Sequence, residues 1–441
     1  MKVEVEDISS VKKKLHIEIP KEDVTREIDK FYSKLQKSVR LKGFRPGKIP
    51  RSVLENRFKK ERTSEVSAQL INISYPASLQ KNNLFPLGNP ELDFPELISG
   101  QEYKYSATIE VKPPIHIKEY TGMKLKKTIY KVSDVKIEEK LKILQRQHSQ
   151  LKTIDDDRAV RRGDFVQIDY EGFKNGKPFP PVGKAENFIA EVGSAKLLKR
   201  VSDELIGMSR GGTKTFPVKF PDDYPSKDLA GEEVSFTVTV KEIKKQIFPE
   251  INDEFAKDIG QFSNLEELKS AIRKEMERNF NNLSERELYE QVIDKLIEKT
   301  DFEVPAVLVD YESKNMAKDA EVAFASQNLS LQDMGYTPDT LVEKYRPAAE
   351  RKVRGLLILD KIIEQEAFKI NDDILNAGFE NMSNRLGQPV ESIKVVYKQD
   401  KKQAADIEQK FLEEHAIQFI IANSTVEQVE ADSKETSKDL A

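Results

Sequence analysis

Along the first hundred residues the apolar positions change period twice. Leu15, Ile17 and Ile19 alternate with Lys14, His16 and Glu18, which predicts a half-buried strand closed by Pro20. Val24, Ile28, Phe31, Leu35 and Val39 then recur at helical spacing. A basic stretch follows, and a second helical pattern carries Val53, Leu54 and Phe58, then Val66, Leu70 and Ile73. Tyr103, Tyr105, Ala107, Ile109 and Val111 return to alternation, and Pro113-Pro114 stops that strand. Ile137, Leu141, Leu144 and Leu151 form one stripe behind a Ser133-Asp134 cap, predicting a linker helix that runs out in Asp155-Asp156-Asp157.

Between residues 160 and 245 the pattern is again two-fold. Val166, Ile168 and Tyr170 alternate with polar partners, as do Phe216, Val218 and Phe220, and Val234, Phe236, Val238 and Val240. Glycine and proline concentrate here, so a small antiparallel β domain is expected, with one short helix near residues 202–206. Beyond Phe248 both residues become rare and helical spacing takes over. Val353, Leu356, Leu359 and Ile363 give one stripe, which Leu357, Ile358 and Ile362 widen, and Asn371-Asp372 reads as a cap. The expected fold is multidomain α+β: an N-terminal α/β domain (1–115), a linker helix (116–159), an antiparallel β domain (160–245), a long α-helical domain (246–426) and a disordered polar tail (427–441).

Composition narrows the chemistry. With 441 residues the chain exceeds the roughly 250–300 that one core organises. It has no cysteine, which excludes disulfides, thiolate metal sites and thiol nucleophiles. His16, His116, His148 and His415 are scattered without ligand spacing, so no metal and no cofactor are expected; His148 falls on the linker stripe as a packed residue. No G-x-x-x-x-G-K-[ST] run is present to cradle nucleotide phosphates. The apolar run at 417–422 is far shorter than the roughly 20 residues of a spanning helix, and residues 1–6 lack a signal-peptide core; no membrane partner and a cytoplasmic location are expected. Formal net charge is only −4, so any nucleic-acid contact must be a local patch.

Such a patch lies between the two N-terminal helices. Arg40, Lys42, Arg45, Lys48 and Arg51 occur with no intervening acid, and Phe44 sits on a tip shaped by Gly43, Pro46, Gly47 and Pro50. Cations meet phosphates, and an aromatic can stack on a base or enter an apolar pocket. By composition alone the segment reads equally well as a solvated hairpin tip. Gly43-Phe44-Arg45-Pro46-Gly47-Lys48-Ile49-Pro50, however, resembles the G-F-R-x-G-K-x-P loop of trigger factors, with every fixed position filled. The resemblance implies docking on the ribosome beside the exit tunnel, on a tunnel-exit protein and nearby ribosomal RNA, through Phe44, Arg45 and Lys48.

The β segment resembles an FKBP-type prolyl isomerase. The likeness runs through Asp169-Tyr170-Glu171-Gly172, Phe179, Phe188, Val192-Gly193, Leu205-Ile206-Gly207-Met208, Phe220-Pro221-Asp222-Asp223-Tyr224 and Phe236. It implies a pocket formed by Tyr170, Phe179, Phe188, Leu198, Val201, Tyr224 and Phe236. There are two departures. Leu198-Lys199-Arg200-Val201 stands where active members carry Ile-Pro-Gly and an aromatic, and Pro180 replaces an acid. With Val201 as the pocket floor, weak turnover is expected.

Phe248-Pro249-Glu250-Ile251-Asn252-Asp253, Leu265-Glu266-Glu267-Leu268 and Glu303-Val304-Pro305-Ala306 resemble later runs of the same family, in which helical arms form a cradle. Phe324, Met334, Tyr336, Tyr345, Phe379, Met382 and Tyr397 are candidate cradle contacts, though core positions satisfy the same pattern. The implied function is an ATP-independent chaperone that docks at the tunnel exit, shields apolar segments of unfolded nascent polypeptides and isomerises prolyl bonds, as a monomer or weak dimer. The alternative is a free cytosolic holdase with a degenerate isomerase domain.

Overall fold

The structure is a computed structural model and describes residues 1–431, apart from Gly43, Pro46, Asp155, Ala195, Lys196, residues 222–227, Asn328, Asp333, Asp400 and the side chains of Lys401 and Lys402. It contains two compact units: residues 1–127 with 285–429, and residues 128–284 with the chain from 430 on.

In the first unit, β1 (Lys2–Asp7), β2 (Lys12–Ile19), β3 (Glu91–Asp93) and β4 (Tyr103–Glu110) form an antiparallel sheet of order β1-β2-β4-β3. The alternation is as expected: Leu15, Ile17 and Ile19 turn inward and meet Val24, Ile28 and Tyr32 of α1 (Lys21–Ser38). Pro20 starts α1 with φ −65°, and Glu22 and Asp23 suit the helix dipole. The second helical pattern is two helices, α2 (Arg51–Arg57) and α3 (Lys59–Lys81), broken at Phe58. Ile73 does not face the core; it is 54% exposed, and Ile71 is buried instead. The inward face continues from Leu70 to Ser74, whose hydroxyl lies 2.6 Å from the Tyr105 hydroxyl. A small polar side chain paired with the sheet took the place expected for an aliphatic one.

The same unit holds β5 (Lys124–Ile129) in part and most of the helices. After α4 (Asp134–Gln147), α5 (Lys199–Leu205) and α6 (Asp253–Ile259), the long α7 (Leu265–Lys299) leads into α8 (Ala306–Ser326), α9 (Pro338–Gln365), α10 (Asp372–Leu386), α11 (Val390–Gln399) and α12 (Lys401–Ala422). The α9 stripe is buried as predicted, with Ile358, Leu359 and Ile362 packed on Val292 and Leu296 of α7 and Ile417 and Ile420 of α12. Thr337 and Thr340 cap α9 reciprocally, and the Asn371 side chain accepts from the Ile374 amide to start α10. Glu303 accepts a hydrogen bond of 2.9 Å from Ser10, and Glu110 accepts one of 2.9 Å from the Val307 amide at the start of α8.

The second unit is built on a six-stranded sheet of order β10-β11-β7-β8, with β6 on β11 and β9 on β7. Its strands are β6 (Gln150–Thr153), β7 (Phe165–Lys174), β8 (Lys177–Pro178), β9 (Lys184–Glu191), β10 (Thr213–Lys219) and β11 (Glu233–Ile247). Val166, Ile168, Phe216, Val218, Val234, Val238 and Val240 form its core with Val201 and Leu205 of α5. Gly172 is required where it stands, since a Cβ there would lie 2.6 Å from Val182 Cγ1. Arg158 grips Asp164 with two hydrogen bonds, of 2.7 and 2.8 Å, and holds its carboxyl below the usual carboxylate range. A second core joins Ile137 and Leu141 of α4 to Phe255, Leu268 and Ile272.

Two expectations are corrected. Leu151 leaves the linker stripe and lies in β6, because Gln150–Thr153 pairs with the end of β11. The predicted tail is ordered at its start: β12 (Thr425–Glu430) pairs with β5. Its polar sequence gains backbone partners far along the chain, which no local pattern announces. Residues 432–441 lie outside the described residues, as does Asp155 of the acidic run.

Candidate functional site

The basic loop joins α1 to α2. Its two feet are apolar: Leu41 packs against the N-terminal core and Ile49 is wholly buried in it. Between them the chain turns twice, with the Phe44 amide donating to the Leu41 carbonyl (3.1 Å) and the Lys48 amide to the Arg45 carbonyl (3.0 Å). Gly47 takes φ +77°, a conformation open to glycine without strain. Phe44 is 40% exposed. Arg45, Lys48 and Pro50 are exposed too, as are Arg40 and Lys42. Among the described residues none of these four cations makes an ion pair. Arg51 does: it meets Asp29 at 2.6 Å and Glu55 at 2.7 Å. Gly43 and Pro46, both predicted loop residues, lie outside the described residues.

A cluster of aromatic rings joins β7, β9 and β11. Tyr170 meets Phe188 edge-on at 5.6 Å and Phe236 at 6.1 Å, and Phe220 lies 6.2 Å from Phe236. Phe236 is 8% exposed and Val201 only 6%, whereas Phe188 is 43% exposed. Leu198 and Phe179 pack half-buried against the same core, and Lys174 Nζ stands 5.4 Å from the Phe179 ring centroid. The structure thus brings together six of the seven predicted pocket residues; Tyr224, with Asp222 and Asp223, lies outside the described residues.

One positioning device escaped the sequence reading. Asn187 adopts φ +59°, its backbone N–H donates to Asp169 Oδ1 at 2.8 Å, and the β7–β9 register shifts between Ile168 and Tyr170. This irregularity sets the direction of Phe188. The signal was an asparagine just before a pocket aromatic, since asparagine tolerates the left-handed region. Lys241 pairs with Asp169 at 2.8 Å and depresses its pKa.

The cradle candidates divide. Phe379 is buried, with Met382 and Tyr397 packed partly buried beside it, so these three belong to a small core of α10–α12. Met334 is exposed, while Phe324, Tyr336 and Tyr345 are half-buried. The larger exposed apolar side chains are others: Tyr311 and Val322 on α8, Leu386 on α10, Val395 and Val396 on α11. Among the described residues no three His, Asp or Glu side chains group as metal ligands. His148 is exposed and lies edge-on to Phe255, so it is not the packed stripe residue expected. It falls past the end of α4, where the stripe has already turned away.

The chain matches three families in succession. Residues 1–144 match the bacterial trigger factor protein family, 156–241 the FKBP-type peptidyl-prolyl cis-trans isomerases, and 264–422 the bacterial trigger factor C-terminus. It is 38% identical to the trigger factor of Desulfatibacillum aliphaticivorans over 439 residues, covering 99% of this chain and all of that one. It is also 38% identical to the trigger factor of Desulfosudis oleivorans over 443 residues, covering both chains completely. At 35% identity it matches the trigger factor of Geotalea uraniireducens over 430 residues, 98% of this chain and 99% of the relative. Matched from end to end in this way, the chain belongs to the trigger factor family.

Proposed function

We propose that residues 43–50 dock the protein beside the ribosomal tunnel exit, on a tunnel-exit protein and the adjoining ribosomal RNA, where it shields emerging apolar segments without ATP. The family gives the outline: a trigger factor chaperone, with a ribosome-binding N-terminal domain and an FKBP-type isomerase domain. The observation that carries the finer reading is Phe44, held out on a loop whose cations Arg45 and Lys48 are exposed and unpaired among the described residues. Phosphates would meet the cations, and Phe44 would fill a pocket or stack.

Shielding falls to the helical region. Tyr311, Val322, Leu386 and the adjacent Val395 and Val396 are exposed on helices rich in charge. Dispersed apolar contacts suit unfolded chains of varied sequence. The pocket of Tyr170, Phe179, Phe188, Leu198, Val201, Tyr224 and Phe236 would act on prolyl bonds in the same clients. Amide resonance opposes rotation by roughly 18–20 kcal/mol. An apolar surround disfavours the polar planar amide more than the twisted one, so no acid, base or metal is needed. A valine floor offers less ring surface than an aromatic one, which fits a slow accessory activity. We place the protein in the cytoplasm as a monomer or weak dimer; no helix among the described residues is long and apolar enough to cross a membrane.

Crosslinking from nascent chains on translating ribosomes tests the reading. Adducts are expected with the wild type and should be lost with Phe44→Ala/Arg45→Ala/Lys48→Ala. Equal adducts from both proteins would remove the loop from the account.

A further inference from the structure

Of the five cations in the basic segment, Arg51 is differently placed. It is the first residue of α2, where a positive charge opposes the helix dipole and where the first turn carries no acid. Glu55, one turn on, offers a local partner, and the tertiary structure adds two more on α1. Arg51 Nη2 reaches Asp29 of α1 at 2.6 Å, its Nε donates to Glu55 of α2 at 2.7 Å, and its guanidinium lies 5.4 Å from the centroid of the Tyr32 ring. Gln36, also on α1, donates to the Ile49 carbonyl at 2.7 Å, two residues before Arg51. Ile49 itself is buried in the core. The C-terminal foot of the loop is therefore tied to α1 by two side chains and one apolar anchor.

We propose that Arg51 is a positioning residue for ribosome docking: with Gln36 it clamps the loop foot to α1 and holds Phe44, Arg45 and Lys48 ready, without itself meeting a phosphate. The inference rests on the docking reading above. A loop ordered beforehand does not lose conformational freedom on binding, so the clamp acts on affinity through the free protein. The planar fork matters more than the charge, because a guanidinium donates in fixed in-plane directions while its face lies on the ring, a geometry that an ammonium does not reproduce.

Titrations of full-length protein onto ribosomes across a series of salt concentrations test this, with amide exchange of the loop measured on the free protein. Arg51 and Asp29 are about half exposed, so their replacement leaves the core intact. Arg51→Lys and Asp29→Asn are each expected to weaken binding about two- to fivefold, with the salt slope unchanged. Both should speed exchange in residues 40–50. Lys48→Ala, by contrast, should lower the slope by about 0.7–0.9.

Asp29→Asn gives opposite signs on the two accounts. If freeing Arg51 tightens binding, or if Arg51→Lys binds as well as the wild type, Arg51 acts as a charge and the proposal is overturned. Unchanged loop exchange in both variants overturns it as well. Should the triple variant Phe44→Ala/Arg45→Ala/Lys48→Ala bind as the wild type does, the docking reading itself fails and the clamp loses its role in it.

Discussion

Phe188 and Phe236 belong to one ring cluster and are held in different ways. Phe236 stands near the start of β11, buried with Val234 and Val238. Phe188 stands open on β9, aimed by the Asn187 irregularity. Phe236→Ala is expected to cost about 3–5 kcal/mol of stability in this unit, seen in a thermal melt. Phe188→Ala should cost less than about 1 kcal/mol and still slow catalysed, proline-limited refolding about tenfold, since it removes a wall of the open pocket. A normal refolding rate in Phe188→Ala would place the catalytic surface elsewhere. At this scale the sequence was informative. Exposed charge around Phe44 and the ring positions of the β domain could be named, because a motif constrains them residue by residue. The aim of Phe188 could not, since it depends on a pairing between β7 and β9.

Elements were legible where a stripe was long. The buried face of α9 and the strands β2, β4, β7 and β11 follow their periodicity. The short polar strands β5, β6 and β12 were invisible, because backbone partners far along the chain define them. Ser74 shows the converse error, a polar residue buried by one specific bond. On α12 the packing raises a further consequence. Burial pushes the Glu413 carboxyl up to about 7, helped by Asp360 and Glu414, while Gln409 and Lys410 act the other way. Glu414 is raised as well, by burial first. For an acid raised from an unfolded value of about 4.3, the stability contribution is complete below that pH and is lost as pH rises through the folded value. The helical core should therefore melt at higher temperature at pH 6 than at pH 8. Glu413→Gln should flatten that difference and stabilise the protein at pH 8 by about 1–2 kcal/mol. A pH-independent melting temperature in the wild type would contradict the assignment.

For the whole molecule, the order of domains was readable from shifts in period and composition, and the families matched along the chain follow that order. On the proposed reading three tasks are distributed along it: docking by the basic loop, isomerisation of prolyl bonds in the β domain, and presentation of apolar side chains by the helices. Docking comes first among them, since it would decide which chains the other two meet. Its most direct test is the ribosome affinity of the wild type and of Phe44→Ala/Arg45→Ala/Lys48→Ala, followed over a salt series. Wild-type affinity should fall as salt rises, and the variant should bind at least about tenfold more weakly, with a slope shallower by about 1.4–1.8, as expected for two lost phosphate contacts. Equal affinity and equal slope for the two proteins would contradict the account.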